Sequence, residues 1–436
     1  MRDFARSDSP EVQTQLDRLG RLSVPQGRLG LDTIRELLAR LGDPHKRLPP
    51  VFHVAGTNGK GSTCAFLRAI LEADGYKIHA TTSPHLVRYN ERIRLAGELI
   101  SDERLAEVLA EVLDLGEDLG ASFFEVTIAA AFSEFARVPA DCCVVEVGLG
   151  GRFDATNVLE PQVLAACGIA ALGIDHEQFL LSPEDGVPSE PIARIAFEKA
   201  GIAKPGVPLV TLGTCYPPVA RAAIATVADK VGAPLFEYDP PYGWGSKPVG
   251  GHMVYGERDE VYFATRPLGL PGHHQTLNAG LAIAMLRRQN VLAISQDAIK
   301  NGVADAFWPA RLQRLSTGPL VGSREVWLDG GHNRDAGEAL KRHFTERRFH
   351  LVIGMLANKD PGALVEPLAR NIASLISVPV PGHDWHSPDA FGNGAVSATG
   401  VAEALENVPD DGLPILIAGS LYLAGEVLRL NGETVD

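Results

Sequence analysis

Cysteine is scarce in this 436-residue chain. The five present, Cys64, Cys142, Cys143, Cys167 and Cys215, are odd in number, sit in apolar surroundings and show no C-x-x-C spacing. That pattern argues against a disulfide framework and a thiolate zinc site, and all five read as reduced core residues. Long apolar runs are missing as well. No stretch approaches the roughly 18 residues of a membrane span, and residues 1–10 are charged, without the apolar centre of a secretory signal. The expected location is the cytoplasm, with no membrane partner. Positive charge is in deficit, with 40 Lys and Arg against 54 Asp and Glu and a formal net charge of -14. Nucleic-acid binding needs clustered cations, and those here are scattered, so no nucleic-acid partner is expected. Internal repeats and low-complexity tracts are also lacking.

What is there describes a globular protein. Apolar residues make up 45% of the chain and mean hydropathy is +0.02, while the length calls for two or three domains. Strand-like runs at 51–55, 77–81, 142–147, 163–169 and 208–212 alternate with helix-like segments, which implies a parallel sheet covered by helices. Residues 275–289 and 294–307 read as helices. After Trp308-Pro309 the pattern restarts, with short strands near 312–315, 325–328, 350–354, 374–378 and 414–418. A domain boundary is therefore expected near residue 307, and the second unit is large enough to fold alone.

Residues 51–63 carry the sharpest chemical signal. Val51, Phe52 and Val54 form an apolar run after Pro49-Pro50. Gly56, Gly59 and Gly61 follow, and Ala65, Phe66, Ala69, Ile70 and Ala73 then recur at helical spacing until Gly75. The segment reads as a strand, a glycine-rich turn and a helix start, with Lys60 where the helix begins. Glycines let backbone amides close around phosphate oxygens, the helix N-terminus adds positive potential and Lys60 supplies a point charge, so a triphosphate is the natural guest. The usual phosphate-loop spacing puts a glycine where this chain has Val54, and such a turn by itself also serves as a tight connection without a ligand.

Glu146 closes the apolar run Cys142-Cys143-Val144-Val145, immediately before Gly148-Leu149-Gly150-Gly151. Ligands of open α/β sheets bind at such strand ends, and a buried carboxylate there needs a cation or a hydrogen-bond partner. A phosphate-bound Mg²⁺ satisfies it, and Arg152 is the alternative partner. Arg88, Arg92, Arg94 and Arg152 are the candidates for gathering positive charge around anionic substrates. Asp175-His176 and Glu198-Lys199 end two further segments. Taken singly, His176 and Lys199 are more often structural than catalytic. Trp327-Leu328-Asp329-Gly330-Gly331-His332-Asn333 sets an acid, an imidazole and an amide at a strand end, a composition that also makes an ordinary turn.

In chain order, several motifs stand out: Gly56-Thr57-Asn58-Gly59-Lys60-Gly61-Ser62, Ser83-Pro84-His85-Leu86 with Arg88-Tyr89-Asn90-Glu91-Arg92, Phe124-Glu125, Glu146 through Asn157, Asp175-His176, Glu198-Lys199-Ala200-Gly201-Ile202, His274-Gln275 through Asn278, Trp308-Pro309-Ala310-Arg311, and Asp329 through Asn333. Over residues 20–425 this set resembles the dihydrofolate synthase/folylpolyglutamate synthase family, within the wider Mur ligase superfamily.

The resemblance implies an α/β protein with a P-loop-type, mostly parallel sheet in a domain spanning 1–307 and a smaller Rossmann-like α/β domain spanning 308–436. It implies an ATP-dependent ligase, monomeric, that phosphorylates a carboxylate and then joins L-glutamate to it, with dihydropteroate and reduced folates as acceptors. By the same resemblance Gly59, Lys60, Gly61 and Ser62 hold phosphates, and Asn278, Arg311, Asp329 and His332 contact ATP. Ser83 and Glu146 ligate a first Mg²⁺, His176 holds a second, and Lys199 matches a lysine that the family carbamoylates. Phe124, Glu125, Asp154 and Ala155 match the pterin-cradling region, with the segment around Leu29-Gly30-Leu31 closing over it.

Three departures stand out. The connection from His176 to Lys199, which includes Ser182-Pro183-Glu184-Asp185, is longer than the family's. Gly331 replaces a common alanine and Ala310 a common glycine, both with little expected effect. A cell-wall Mur ligase would carry a UDP-binding domain before its phosphate loop, where this chain has only about 50 residues. A folylpolyglutamate synthase without the dihydropteroate activity remains the nearest rival. Intact Lys60, Glu146, His176 and Lys199 speak against a nucleotide-binding regulator that has lost catalysis.

Overall fold

The computed structural model describes residues 7–22, 30–175, 177–240, 242–258, 260–392, 394–433 and 435. His176 and Leu29 lie outside the described residues. Two compact units divide the chain: unit 1 comprises Met1–Ser83, Arg88–Gly269 and Gln275–Phe307, and unit 2 comprises Pro84–Val87, Leu270–His274 and Trp308–Asp436. Among the described residues no helix is long and apolar enough to cross a membrane.

Unit 1 is built on eight strands: β1 Val51–Ala55, β2 Ile78–Thr81, β3 Ile93–Leu95, β4 Glu98–Leu99, β5 Cys142–Glu146, β6 Leu164–Ile169, β7 Leu209–Thr211 and β8 Leu235–Glu237. They lie in the order β4-β3-β2-β5-β1-β6-β7-β8. From β2 to β8 every pairing is parallel, while β3 and β4 close one edge antiparallel. Every residue of β1 and β5 is buried, which is why these central strands read as mostly apolar runs, with His53 in β1 and Glu146 at the end of β5 as the exceptions. The chain leaves β1 toward β2 on one side and later returns to β6 on the other. That reversal makes the C-terminal ends of β1, β5 and β6 the natural ligand crevice.

The helices of the chain are α1 Pro10–Gly20, α2 Asp32–Arg40, α3 Lys60–Ala73, α4 Asp102–Gly116, α5 Phe123–Arg137, α6 Glu177–Leu180, α7 Pro191–Ala200, α8 Pro218–Val231, α9 His273–Arg288, α10 Gln296–Asp305, α11 Arg334–His343, α12 Pro361–Leu368, α13 Val401–Asn407 and α14 Leu421–Asn431. A second sheet in unit 1, the antiparallel meander β9 Trp244–Val249, β10 His252–Glu257 and β11 Glu260–Ala264, has no counterpart in the sequence reading. Its inner residues Trp244 and Tyr255 are buried and stacked, and polar residues alternate with them. Such half-exposed strands leave no continuous apolar run.

Unit 2 holds β12 Gln313–Arg314, β13 Val326–Leu328, β14 Phe349–Ile353, β15 Ile372–Ser377, β16 Val396–Ser397 and β17 Ile415–Ala418, ordered β12-β13-β17-β14-β15-β16. All pairings except β12 with β13 are parallel. The fold is thus α/β with two mostly parallel sheets, as expected. Four of the five cysteines are buried and free, but Cys215 is exposed, so the expectation of a core position fails for that one. It lies in the short turn Gly213–Cys215 just after β7, where the chain has left the sheet.

Candidate functional site

Unit 1 gathers its chemistry at the ends of β1, β5 and β6. After β1 the chain turns through Gly56 to Gly59 and enters α3 at Lys60. Gly59, with φ 82°, stands at the helix cap and brings no side chain to the first amides of α3. Amides at a helix N-terminus suit an anion. The turn is pinned from outside: the Thr57 and Asn58 amides donate to the Ala171 carbonyl at 2.8 and 3.2 Å, and the Thr57 hydroxyl donates to the Gly173 carbonyl at 2.9 Å. Gly56 has no room for a side chain, since a Cβ there would stand 2.9 Å from the Ala170 Cβ.

Helix α9 closes the other side of the turn. The Asn278 side chain packs against the bare Cα of Gly59, and its amide donates to the Gln275 side-chain oxygen at 2.9 Å. Gln275 in turn donates to the Ser62 hydroxyl at 3.2 Å, and Gln275, Asn278 and Ser62 are all buried. Gln275 was not singled out from the sequence as a site residue. Its spacing of three from Asn278, which puts both on one helix face, was the available signal.

Two lysines meet at one atom. The Lys60 Nζ donates to the Gly56 carbonyl at 3.0 Å and to that of Thr57 at 3.4 Å, and the Lys199 Nζ, reaching in from α7, donates to the same Gly56 carbonyl at 3.0 Å. Burial first, and then the repulsion of Lys60, bring the Lys199 ammonium down from 10.5 to about 7, against the opposing pull of Asp175, Asp154 and Glu198. Near neutral pH a large share of this amine is uncharged. Glu146 is buried at the end of β5, and its Oε2 accepts the Ser83 amide at 3.3 Å. Arg152, the alternative partner for Glu146, is engaged elsewhere, with Glu184 and Glu198.

The turn after β5 is covered glycine by glycine. The Phe124 ring lies directly on Gly148, Leu180 would stand 2.9 Å from a Cβ on Gly150, and the Glu198 carbonyl would stand 2.7 Å from one on Gly151. Asp154 is buried behind this turn. Its carboxylate accepts the Leu149 amide at 2.7 Å, the Thr156 amide at 3.0 Å and the Thr156 hydroxyl at 2.5 Å, while burial raises its pKa above the usual carboxylate range. The Thr156 hydroxyl also lies 2.8 Å from Nε2 of the wholly buried His53. Ala155 is buried beside Asp154 in the turn Ala155–Val158. Glu125 forms a capping box at the start of α5, accepting from the Ser122 amide at 2.8 Å and hydroxyl at 2.7 Å. Among the described residues no set of three or more His, Cys, Asp or Glu groups is arranged to hold a metal ion.

Unit 2 has its own polar turn after β13. The two oxygens of Asp329 accept the Leu312 amide at 2.9 Å and the Gly331 amide at 2.7 Å, and the Gly330 amide donates to the Ala310 carbonyl at 3.0 Å. Arg311, between two left-handed residues, places Nη1 3.4 Å from the Ala310 carbonyl. His332 Nδ1 lies 3.2 Å from the Gly330 carbonyl, and the Asn333 side chain caps α11.

Such an arrangement suits phosphoryl chemistry, and comparison with known proteins agrees. No family model matches the chain. Dihydrofolate synthase/folylpolyglutamate synthase of Bacillus subtilis (strain 168) is 34% identical over 426 residues, covering 92% of this chain and 94% of the relative. Escherichia coli FolC in complex with DHPP and ADP superposes with a TM-score of 0.83 at 29% identity, covering 97% of both chains. A bifunctional folylpolyglutamate synthase/dihydrofolate synthase with Mn, AMPPNP and L-glutamate bound gives a TM-score of 0.80 at 29% identity, covering 97% of this chain and 98% of that one. The class is therefore an ATP-dependent ligase that forms an amide between an acid and an amino acid. Within that class the chain belongs to the dihydrofolate synthase/folylpolyglutamate synthase family.

Proposed function

We propose that this chain joins L-glutamate first to dihydropteroate and then to reduced folates, each time through an acyl phosphate. The observation that carries the reading is the convergence of Lys60 and Lys199 on the Gly56 carbonyl, with Glu146 buried at the end of the sheet's central strand β5. A free carboxylate is a poor electrophile. Transfer of the γ-phosphoryl group from ATP to one carboxylate oxygen releases ADP and turns that oxygen into part of a leaving group. The amine of glutamate then forms the C–N bond, the C–O bond to phosphate breaks, and the amine's proton passes to solvent. The protein's task is to align two anions and offset their repulsion.

In this reading the amides of Gly59, Gly61 and Ser62 and the Lys60 ammonium hold the phosphates, and Asn278 fixes the turn. Arg311, Asp329 and His332 in unit 2 are assigned to the nucleotide by resemblance. Ser83 and Glu146 fit a Mg²⁺ chemically: the Ser83 amide bonds to the buried Glu146 carboxylate, and a hydroxyl and a carboxylate are donors this hard ion takes alongside substrate phosphates. Bound there, the ion neutralises developing phosphoryl charge. His176 is assigned to a second Mg²⁺ by resemblance alone. The depressed Lys199 amine supports carbamoylation: an uncharged amine attacks CO₂, an N–C bond forms, a proton leaves, and the cation becomes an anion able to support a metal. Phe124, Glu125, Asp154 and Ala155 are assigned to the pterin end. Since the carboxylates of Glu125 and Asp154 are bonded to their own chain, their part is to shape that wall. A cytoplasmic monomer completes the reading.

The test is ADP release with Mg-ATP and L-glutamate, comparing 7,8-dihydropteroate with tetrahydrofolate. Turnover with both is expected. Turnover with tetrahydrofolate alone would reduce the protein to a folylpolyglutamate synthase, and turnover with neither would overturn the reading.

A further inference from the structure

Beside the turn after β1, four side chains form an ion network. The Arg152 guanidinium donates through Nη1 and Nη2 to the two oxygens of Glu184, at 3.1 and 2.5 Å, and through Nε and Nη2 to those of Glu198, at 3.1 and 2.8 Å. Arg194, one helical turn before Glu198, donates to Glu184 at 2.9 Å, and its Nε lies 3.1 Å from Glu198. Side-chain exposure is 22% for Arg152, 20% for Glu184, 7% for Arg194 and 6% for Glu198. Pairs this shielded are little screened by solvent, so removing one member leaves an uncompensated charge in place.

The network grips the end of α7 that carries Lys199. The Arg152 amide donates to the Glu198 carbonyl at 2.8 Å, and the Arg152 guanidinium carbon lies 4.3 Å from the Phe153 ring and 5.0 Å from that of Phe197. Gly201, the cap of α7, sits so close to Arg152 that a Cβ there would stand 2.5 Å from the Arg152 Cα. Three of the four charges thus belong to α7 or to the turn after β5. The fourth, Glu184, comes from the irregular stretch between α6 and α7, whose far end leads into α7.

We propose that Glu184 is a positioning residue for the ligase reaction. It draws the stretch between α6 and α7 onto Arg152 and Arg194, and by balancing both guanidiniums it fixes the helix end that brings Lys199 to the Gly56 carbonyl. Without it, two cations share the single carboxylate of Glu198, repel each other and shift that end. A displacement of about 1 Å at a reacting group is enough to cost up to about 100-fold in rate. The phosphate turn has further anchors in Ala171, Gln275 and Asn278, so a smaller effect is expected on ATP affinity than on rate. The proposal rests on the reading of Lys199 given above.

The test compares the full-length wild type with Glu184→Gln, Glu184→Asp, and Glu184→Gln combined with Arg194→Gln, in steady-state ADP release and thermal unfolding. Glu184→Gln is expected to lower kcat about ten-fold while KM for ATP stays within about two-fold and the melting temperature within about 3 °C. Glu184→Asp should recover part of the loss, and so should the double variant, because it removes the cation left unbalanced. An unchanged kcat would overturn the proposal. So would a lower KM for glutamate with kcat intact, which would make Glu184 an internal competitor for the arginines, or a loss of rate that only tracks a loss of fold. Lys199→Ala is run alongside. Full activity there would overturn the reading of Lys199 and this proposal with it, whereas an active wild type indifferent to Glu184→Gln overturns the proposal alone.

Discussion

The turns after β1 and β5 in unit 1 and the turn around Asp329 in unit 2 all need backbone in the positive-φ region, and they meet the need with different residues. In unit 1 the positions are glycines: Gly56 at 155°, Gly59 at 82° and Gly150 at 71°. In unit 2 they are Ala310 at 55° and Leu312 at 47°, flanking Arg311. Glycine appears where another group must come against bare backbone, as Asn278 does on Gly59. Residues with side chains are held in the same region where a carboxylate, here Asp329, grips two amides and sets the turn by hydrogen bonding. The first design lets a neighbouring group pack directly on bare backbone, and the second uses a side chain to hold the backbone.

If that distinction is right, Lys60→Ala should separate chemistry from fold most sharply. Loss of a charge aimed at the transferred phosphoryl group is expected to lower kcat by about 10²–10³. Stability should barely move, since Lys60 bonds only to carbonyls of its own turn. Retention of full activity in a turnover assay would remove the phosphate assignment.

Asp329→Ala should do the reverse in unit 2. It strands the Leu312 and Gly331 amides, each at a cost of about 1–3 kcal/mol when buried, and releases Ala310 and Leu312 from a conformation they do not favour. A loss of about 3 kcal/mol in denaturant unfolding is expected. A loss below about 1 kcal/mol would mean the carboxylate does not set this turn.

His53 tests how deeply the unit 1 turns are anchored. Burial pushes its imidazole down to about 3 from 6.5, so it stays neutral in the fold while the unfolded chain takes up a proton below pH 6.5. A depressed base makes stability fall as pH drops from 6.5 toward 3, by about 2 kcal/mol between pH 6.5 and 5 for this one group. His53→Gln should flatten that slope in unfolding curves taken across the range. An unchanged slope would assign the acid sensitivity to other histidines.

The parts of the molecule that were legible share a physical cause. Strands enclosed on both faces are mostly apolar, so β1, β5, β6, β14 and β17 were visible as runs despite His53 and His350, and the glycine turn between β1 and α3 was visible because its glycines cluster between a strand and a helix start. The meander β9 to β11 was not, because residues of β9 and β10 alternate between inside and outside and include Lys247 and Pro248. Glu125 and Asp154 show a different limit. A carboxylate that caps a helix and one that meets a substrate are spelled alike, and only the hydrogen bonds reveal that these two bind their own backbone. Glu184 was visible as part of an unusually long connection, but its partners lie 32 and 10 residues away and only the fold joins them.

Gly331 and Ala310, the two small residues where the family carries each other's type, give the smallest effects and the finest comparison. Both exchanges were expected to matter little, and the structure separates them. At Gly331 an added Cβ would stand 2.5 Å from the Ala336 Cβ and 2.7 Å from the Asp329 carboxylate, so Gly331→Ala must push the acid off the amides it holds and should cost about 1–3 kcal/mol. At Ala310 three terms oppose one another. Relief of the left-handed backbone favours Ala310→Gly by about 1–2 kcal/mol. Loss of a fully buried methyl costs about 0.8 kcal/mol. The extra freedom of glycine in the unfolded chain costs about 0.5–1 kcal/mol. The sum lies within about 1 kcal/mol of zero, so denaturant unfolding should scarcely distinguish Ala310→Gly from the parent. A gain above about 2 kcal/mol would show that strain outweighs packing there, and that Asp329 holds the turn against a larger force than its two hydrogen bonds suggest.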